Sequence, residues 1–450
     1  MGVVVPGFRT PLLRSALPLG VAVSGGADSL ALLHLLHQQK LPLIALHVDH
    51  GFRGQESTSD RDFVAQQAAS LGLPFLVHSP EPTPGNKEQS ARNARYRWFH
   101  SLIRAGVVGK VATGHTLDDQ AETVLFRFLR GAGTAGLAAV LPETAEGIVR
   151  PLLNSNREDL RTYLTSHNLP WREDSSNQQL CFARNRIRHT LLPQLEAEWN
   201  PNLTQSLAQT AEWARAEEQY WQSEILSISA RWLRFEKHGD CSSALLQVAP
   251  LKALPLAVAR RVIRFAVSHT SNIAAEFAHV ERVLALCARS TGHGSFQTRS
   301  WQATRSFGAL RIALTSAPQP DYSLPLTAPG TYPLPNRASV VNLELGPRKS
   351  VYNNVGHLVD WALISGSLEL RNWHPGDRFP QAAHRPARKL THFFQESGIP
   401  SWERSAWPLI TCANSILWTR GQGVSPSFAP TTRTETVLRI SESPNQNVFL

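Results

Sequence analysis

The chain has 450 residues and a formal net charge of +10, with 45 lysines and arginines against 35 aspartates and glutamates. This length exceeds that of one typical hydrophobic core, so we expect two or three domains. Only seven of the basic residues are lysines. An arginine-rich positive charge modestly favours a polyanion, most commonly nucleic acid, as the partner.

The sequence argues against a membrane protein and against a local metal or redox motif. It has no run of 18 or more uncharged apolar residues, which predicts no membrane span. Its first 20 residues lack the continuous apolar core of a secretion signal, and we therefore predict a cytoplasmic protein. The four cysteines are too far apart for a zinc ribbon or a CxxC pair. They are Cys181, Cys241, Cys287 and Cys412.

Strands and amphipathic helices alternate between residues 20 and about 131. The predicted strands are GVAVS, LIALHVDH, FLVHS and KVATGH, and each precedes a helical pattern. This alternation predicts an α/β fold with a doubly wound, Rossmann-like parallel sheet. In such a sheet the ligand lies at the carboxyl ends of the strands. Here those ends are polar: Ser24, Asp49 with His50, Ser79 and His115.

The remainder of the chain predicts two further domains. Long helical patterns dominate from residue 156 to 290, and six prolines between 316 and 337 predict a linker or an irregular crossing. Short strands such as SVVNLEL, SLELRNW and SILWTRG follow. We predict a catalytic domain with a helical extension at 1–215, a mainly helical domain at 216–325, and a small α+β C-terminal domain at 326–450.

The hexapeptide SGGADS joins the first strand to the first helix. It is neither a Walker A loop nor a GxGxxG fingerprint. Gly25 and Gly26 permit positive φ and close approach of an anion, and Ser24 and Ser29 add hydroxyl donors at a helix N-terminus. Asp28 would repel a phosphate unless a cation such as Mg²⁺ lay between them. A tight turn with a helix-capping charge is the alternative, but the position after the first strand favours phosphate.

Two other segments carry polar groups of less specific meaning. In LHVDHGFRG, Asp49 and His50 end the second strand, where a nucleotide base or ribose would lie, although an ordinary polar loop is the simpler explanation. In ARNARYRWF, Arg92 and Arg95 lie three residues apart on one helix face. A basic surface stripe would explain either arginine alone.

The segment TGHTLDDQAETVLFRFLRGAGTAGL, residues 113–137, carries paired acids. Asp119 and Glu122 lie one helical turn apart on the same face, and Asp118 lies where a helix start favours a carboxylate. Paired carboxylates can hold a cationic amine or accept a proton from it. Solvated acids on a capped helix would explain Asp118, but not the glycines of RGAGTAGL that interrupt a good helix.

Together these segments resemble a known family. SGGADS resembles the pyrophosphate loop (PP-loop) of the ATP pyrophosphatases. ARxxRY before an aromatic residue, and HxxDDxxET followed by RGxGxxGL, resemble signatures of the tRNA(Ile)-lysidine synthetases within that superfamily. The resemblance is strong over residues 20–195 and recognisable over 365–421.

The resemblance implies a ligase that uses ATP and Mg²⁺. The enzyme would use ATP to activate carbon 2 of the wobble cytidine of a CAU-anticodon isoleucine tRNA, forming an adenylated intermediate and releasing pyrophosphate. Free L-lysine would then displace AMP through its ε-amine and give lysidine, which pairs with A rather than G. The codon specificity of the tRNA would change from AUG to AUA.

The resemblance also implies roles for individual residues. Asp119 and Glu122 would recognise lysine and act in catalysis together with Asp28, which would also bind Mg²⁺, and Arg95 would stabilise developing phosphate charge. The residues implied in ATP binding are Ser24, Gly25, Gly26, Ala27, Asp28, Ser29, Asp49 and His50.

A dense basic cluster follows in FARNRIRH. Arg184, Arg186 and Arg188 lie at a predicted helix start, which is an unfavourable end for cations. A compensating anion is therefore expected, and tRNA phosphate is our prediction. Pairing with the nearby Glu173 and Asp174 is the alternative.

Further tRNA contacts are predicted elsewhere in the chain. WHPGDRF and RKLTHFFQESG resemble the distal tRNA-binding domain of the family. The predicted contacts are Arg92, Arg378, Arg388 and Lys389.

Two alternative functions remain open from the sequence. A tRNA thiolation enzyme of the same superfamily is disfavoured because paired cysteines that handle sulfur are missing. A catalytically inactive tRNA-binding protein is disfavoured by the intact Ser24, Asp28, Asp119 and Glu122. The residues leave the oligomeric state open, although ERVLALCARS could supply a homodimer interface.

Overall fold

The computed structural model describes residues 5–49, 51, 55–80, 87–173, 183–238, 241–289, 292–315, 320–334, 339–348, 357–381 and 386–444. The chain divides into two compact units, Met1–Ser223 and Glu224–Leu450. The finer division into three domains remains a prediction.

The first unit contains a five-stranded parallel sheet with the order β3-β2-β1-β4-β5. Its strands are β1 (Leu19–Ala22), β2 (Leu43–Val48), β3 (Phe75–His78), β4 (Lys110–Ala112) and β5 (Ile148–Val149). The chain proceeds from β1 to β2 and β3 on one side, and β4 and β5 lie on the other side. The strand order therefore reverses between β1 and β4, where doubly wound sheets bind their ligands. The predicted fold class is confirmed.

The helices of this unit connect the strands or follow the sheet. They are α1 (Ala27–Gln38), α2 (Gln55–Ser70), α3 (Lys87–Arg104), α4 (Leu117–Leu129), α5 (Thr134–Leu137), α6 (Arg157–Ser166), α7 (Ala183–Arg186), a π-helical turn (Ile187–Leu191), α8 (Leu192–Glu198) and α9 (Leu203–Ser229), with a short 3₁₀ turn at Thr10–Leu13.

The core of the first unit forms around α1. Leu30 and Leu33 are fully buried and pack with Val21 of β1 and Leu160 of α6. A helix that is apolar on nearly every side must be enclosed, and the burial of α1 fixes its N-terminus beside the end of β1. Within the described residues, no helix combines the length and apolarity needed to cross a bilayer.

The second unit begins with helices and a sheet. The predicted helices α11 (Leu256–Ser271) and α12 (Phe277–Ala288) are present, with α10 (Val248–Ala253) before them. They accompany an antiparallel sheet of order β6-β7-β10-β9-β8, which the sequence patterns did not predict. Its strands are β6 (Leu233–His238), β7 (Cys241–Gln247), β8 (His293–Gln297), β9 (Trp301–Ser306) and β10 (Ala309–Leu314).

The C-terminal part of this unit contains two larger antiparallel sheets, as the predicted short strands indicated. One has the order β11-β15-β18-β19-β20 and the other β12-β13-β21-β14, and side chains of both share one buried cluster. The elements are β11 (Ser323–Leu326), β12 (Gly330–Pro333), β13 (Ser339–Pro347), β14 (Leu358–Asp360), a 3₁₀ turn (Trp361–Leu363), β15 (Leu368–Asn372), β16 (Arg378–Phe379), β17 (Arg388–Lys389), α13 (Leu390–Glu396), α14 (Ser401–Arg404), β18 (Pro408–Cys412), β19 (Ser415–Thr419), β20 (Gly423–Val424), a 3₁₀ turn (Pro426–Phe428) and β21 (Thr436–Pro444).

Candidate active site

The SGGADS loop lies between the end of β1 and the start of α1. Gly25 has a φ of +95°, a conformation that only glycine adopts without strain. The Ser29 hydroxyl donates to the Gly26 carbonyl at 2.9 Å and accepts from the Ser24 backbone N–H at 3.1 Å. These bonds fold the loop around the N-terminus of a twelve-residue helix. The backbone thereby has the form of an anion-binding turn.

Asp28 lies in the first turn of α1, and its side chain is 29% exposed. Burial raises its pKa to about 6; the Arg157 guanidinium opposes this shift and the Asp119 carboxylate adds to it. A partly desolvated carboxylate of this kind gains from a nearby cation. Among the described residues no group of three acids, histidines or cysteines could enclose a metal. The chemistry of the Asp28 carboxylate fits that of a single protein ligand to Mg²⁺ beside a phosphate site.

The loop after β4 lies directly against the loop after β1. A Cβ added to Gly114 would lie 3.1 Å from the backbone of Asp28 and Ser29, so only a glycine allows this approach without displacement. Thr116 then caps α4: its hydroxyl accepts from the Asp119 backbone N–H at 3.4 Å, and the Asp119 carboxylate accepts from the Thr116 N–H at 2.9 Å. This capping box brings the start of α4 beside the start of α1.

Asp119 and Glu122 share the inner face of α4, as predicted, and both are buried. Arg157 joins them, because its Nη2 donates to Asp119 Oδ1 at 2.6 Å and its Nη1 donates to Glu122 Oε1 at 2.8 Å. Its Nε lies 3.4 Å from Asp28 Oδ2. One guanidinium therefore spans the distance from the predicted phosphate loop to the predicted lysine site.

Two more arginines complete the cluster. The Nε of Arg184 donates to Glu122 Oε2 at 2.9 Å, and its Nη2 donates to Asp119 Oδ1 at 3.0 Å. The Nε of Arg188 donates to Glu122 Oε1 at 2.6 Å, and its Nη2 donates to Glu122 Oε2 at 3.0 Å and to Asp119 Oδ1 at 3.3 Å. We call Asp119, Glu122, Arg157, Arg184 and Arg188 the acid–arginine cluster.

The arginines decide the ionisation of the two acids. Burial alone would raise the pKa of Asp119, but the charges of Arg157 and Arg184 outweigh it and hold that pKa well below its usual range. Burial is likewise outweighed at Glu122, whose pKa is lowered by the hydrogen bond from Arg188 and the charge of Arg157. Both acids are therefore anions at neutral pH.

His115 lies at the end of β4, next to the cluster. Burial lowers its pKa to about 3, although the Asp119 carboxylate opposes the shift. Its Nδ1 lies 2.9 Å from the Thr113 hydroxyl. The imidazole is therefore neutral at physiological pH and adds no positive charge to the cluster.

Arg157 is the site residue that the sequence patterns did not single out. Arg157 lies within residues 20–195, over which the family resemblance is strong, but that resemblance gives no role to this arginine. Arg157 is the first residue of α6, which Asn156 caps by accepting from the Asp159 N–H at 2.7 Å. A cation at a helix start is unfavourable unless an anion compensates it. A cation at a helix start is the sequence signal that drew attention to Arg184, and Arg157 carries the same signal.

The structure gives no support for Glu173 as the ion-pair partner of Arg184 and Arg188. Glu173 pairs with Arg161 at 3.1 Å, and Asp174 lies outside the described residues. Arg184 and Arg188 instead pair with acids of the predicted lysine site. Their compensating anions are thus carboxylates of the same chain. Arg186 is exposed on the same short segment.

The other predicted residues of the first unit are more peripheral. Asp49 is half-buried after β2, and its Oδ1 accepts from the Gly51 N–H at 3.0 Å. His50 lies outside the described residues. Arg92 lies over the Tyr96 ring, 5.0 Å from its centre. Arg95 is exposed on α3 and, within the described residues, makes no hydrogen bond to the acids of the site.

The predicted tRNA contacts of the second unit line a surface cleft of about 430 Å³. Arg378, Arg388 and Lys389 contribute to it, together with His392. Arg388 is also held by Glu396, to which its Nη1 donates at 2.7 Å. The cleft is therefore basic but partly neutralised.

The cysteines do not form a pair in the described residues. Cys287 and Cys412 are buried free thiols, and burial raises the pKa of Cys287 to about 11. A buried thiol with a raised pKa is a poor nucleophile and metal ligand. Cys181 lies outside the described residues.

Comparison with known proteins gives matches along most of the chain. Residues 10–195 match the model of the PP-loop domain, residues 246–311 that of the TilS substrate binding domain, and residues 368–441 that of the TilS substrate C-terminal domain.

Curated relatives match over nearly the whole length. The chain is 46% identical to the tRNA(Ile)-lysidine synthase of Solibacter usitatus, over 96% of this chain and 99% of the relative. It is 33% identical to that of Symbiobacterium thermophilum, over 94% and 93% of the two chains, and 32% identical to that of Geobacillus kaustophilus, over 92% of each. These matches, with the phosphate-type loop and the buried acids beside it, show that the chain belongs to the tRNA(Ile)-lysidine synthase family.

Proposed function

We propose that the chain joins free L-lysine to carbon 2 of the wobble cytidine in CAU-anticodon isoleucine tRNA, at the expense of ATP. One observation carries the proposal: the buried acids Asp119 and Glu122 lie within the span of a single guanidinium from Asp28 in the phosphate-type loop. A nucleotide bound at this loop and an amine held by these acids would be neighbours. The product would be lysidine, and the tRNA would read AUA instead of AUG.

The first step is the adenylation of cytidine. The loop from Ser24 to Ser29 holds the ATP phosphates, and Asp49 and His50 are assigned to binding of the base or ribose. Asp28 is the proposed Mg²⁺ ligand, and a bound Mg²⁺ ion would neutralise phosphate charge as pyrophosphate leaves. We assign Arg95 to the same developing charge.

The second step is the attack of the lysine ε-amine on carbon 2. The amine has an unperturbed pKa of about 10.4, so it arrives as an ammonium ion and must lose a proton before it attacks. Asp119 and Glu122, which are anions in this structure, are suited to bind the ammonium. As the new C–N bond forms, the bond from carbon 2 to the adenylate oxygen breaks and AMP departs.

Basic residues of both units are proposed to hold the tRNA. Arginine binds phosphate bidentately, which suits a polyanion of fixed backbone geometry. The proposed residues are Arg92, Arg184, Arg186, Arg188, Arg378, Arg388 and Lys389. A cytoplasmic location belongs to the same proposal, because ATP, free lysine and tRNA meet there, and a homodimer remains a prediction.

Incorporation of labelled lysine tests the proposal. Purified protein is incubated with ATP, Mg²⁺, labelled lysine and a transcript of CAU-anticodon isoleucine tRNA. We expect label in the tRNA and release of AMP and pyrophosphate, whereas elongator methionine tRNA, which has the same anticodon, stays unlabelled.

Glu122→Gln and Asp28→Ala should abolish labelling while tRNA retention on a filter persists. Absence of label with the correct transcript, or equal labelling of the methionine tRNA, would contradict the proposal. Sulfur transfer to tRNA without lysine incorporation would indicate the thiolation alternative. Retention of tRNA without any ATP cleavage would indicate the inactive alternative.

A further inference from the structure

The acceptor atoms of the predicted lysine site are already occupied. Glu122 has a side chain that is 1% exposed, and each of its oxygens accepts two arginine N–H groups. Asp119 Oδ1 accepts from Arg157, Arg184 and Arg188, and its Oδ2 accepts from Thr116. An incoming ammonium group, with three donors, would find no carboxylate oxygen of these two acids without a partner.

The charges of the site lead to the same conclusion. Three guanidinium groups face the carboxylates of Asp28, Asp119 and Glu122 in one partly buried cluster, and the Asp118 carboxylate accepts from the Arg157 backbone N–H beside them. The three guanidinium groups on these acids would repel an added ammonium where solvent screening is weak. Lysine can therefore bind well only if an arginine leaves the acids.

The three arginines are not equally placed. Arg157 is 19% exposed and lies in the first turn of α6, where its backbone N–H donates to Asp118 at 2.9 Å. Arg184 and Arg188 are 35% and 22% exposed and lie on α7 and the π-helical turn that follows it. Single π-helical turns occur often at functional sites. Arg184 is the most exposed of the three, and Arg188 shares its short segment, which also carries the exposed Arg186.

We propose that Arg184 and Arg188 couple lysine binding to tRNA binding by exchanging carboxylate for phosphate. In the free chain they neutralise Asp119 and Glu122. When tRNA phosphates take these guanidinium groups, Arg157 alone of the cluster's arginines stays on the two acids, and the lysine ammonium takes the place of Arg184 and Arg188. The inference rests on the proposed function and adds to it a pair of residues that determine how the two substrates cooperate.

Every charged group keeps a partner of opposite charge in the exchange: the two guanidinium groups gain phosphates, and the acids keep Arg157 and gain the ammonium. Arginine binds phosphate bidentately, as it binds carboxylate. Coupling between two ligands is reciprocal, so lysine must tighten tRNA binding by the factor by which tRNA tightens lysine binding. The proposal fixes no order of binding.

Equilibrium binding without ATP tests the coupling, since no reaction then occurs. Labelled lysine is dialysed against the full-length protein with and without CAU-anticodon isoleucine tRNA, and tRNA retention is titrated with and without lysine. We expect both affinities to rise by the same factor, of tenfold or more. Equal lysine affinity with and without tRNA would overturn the proposal.

The double variant Arg184→Gln, Arg188→Gln gives opposite effects on the two ligands. Without tRNA it should bind lysine at least fivefold more tightly than the parent, and it should bind tRNA more weakly, with a coupling factor below three. A folding defect would weaken both. Arg161→Gln is the matched control, because it removes an exposed arginine of α6 that pairs with Glu173, and it should behave as the parent. Weaker lysine binding by a folded double variant would overturn the proposal.

ATP also carries phosphates, so the same dialysis is repeated with a nucleotide in place of tRNA. With α,β-methylene ATP we expect lysine affinity to change by a factor below three. A nucleotide effect as large as that of tRNA would assign Arg184 and Arg188 to ATP and overturn the proposal. Labelling of tRNA in the complete reaction reports on the proposed function separately. A chain that labels tRNA but shows no coupling contradicts only the exchange.

Discussion

Arg157 is the residue whose removal most directly tests the site. Arg157→Met keeps most of the side-chain length and removes the guanidinium that contacts Asp119 at 2.6 Å and Glu122 at 2.8 Å. Removing one partner of a buried ion pair costs about 3–5 kcal/mol. Arg184 and Arg188 remain on both acids, so we expect the lower end of that range. About 3 kcal/mol corresponds to a roughly hundredfold change in an opening equilibrium.

Native-state hydrogen exchange measures this change locally, which suits a chain of more than one compact unit. Peptides covering α4 and α6 are followed by mass spectrometry under conditions where exchange reports the opening equilibrium. In Arg157→Met we expect these peptides to exchange about a hundredfold faster than in the parent. Lysine incorporation should fall as well, because the spacing of the two acids is no longer held.

Arg161→Met is the control for this experiment. Arg161 lies on the same helix and pairs with Glu173, but the two side chains are 56% and 65% exposed. An exposed pair of this kind contributes less than about 1 kcal/mol. If α4 exchanged at the same rate in Arg157→Met as in Arg161→Met, the assignment of Arg157 as the central counter-ion would be refuted.

Three other predictions concern the loop, its contact and the tRNA cleft. Because the pKa of Asp28 is raised to about 6, its carboxylate is protonated below that pH. We therefore expect kcat/KM for ATP to fall as the pH drops through about 6. A higher Mg²⁺ concentration should shift this acidic limb of the pH profile to lower pH. A limb that Mg²⁺ does not move would contradict the metal assignment. Gly114→Ala places a Cβ 3.1 Å from the backbone of Asp28. By displacing the loop it should lower kcat roughly tenfold to hundredfold, with tRNA retention unchanged. An unaltered kcat would show that this contact is not critical. The Arg378→Gln, Lys389→Gln double variant should reduce the slope of log affinity for tRNA against log salt by about two, and an unchanged slope would remove this cleft from the tRNA interface.

The parallel sheet and the loop were predictable because their signals are local. The alternation of strand and helix patterns predicts the order of the elements. The motif SGG after a strand predicts a turn that needs glycine, and Gly25 indeed has a φ of +95°. The spacing of Asp119 and Glu122 likewise determines that they share a face of α4. Each of these inferences depends on residues fewer than about ten positions apart.

The sheet of β6 to β10 was missed for a physical reason. Along β9 the inward positions are Trp301, Ala303 and Arg305, so the buried face does not read as apolar alternation. The buried Arg305 guanidinium donates to the carbonyls of Leu286 and Cys287 at the end of α12, at 2.7 and 3.0 Å. Arg305 belongs to β9 but caps the C-terminus of α12. Its charge is satisfied by residues distant in the sequence, so no local pattern predicts that it is buried.

The acid–arginine cluster shows the same limit at the site itself. Its ion pairs join residues 35 to 69 positions apart, so the sequence could indicate that the helix-start arginines needed anions but not which anions they had. The distinction matters for the proposed function, because an acid pair with free oxygens would bind lysine directly, whereas the proposed exchange lets an acid pair held by arginines bind lysine only when they leave. Since tRNA phosphate is the other anion that these arginines are proposed to bind, the position of two side chains would link the nucleic-acid substrate to the amino-acid substrate.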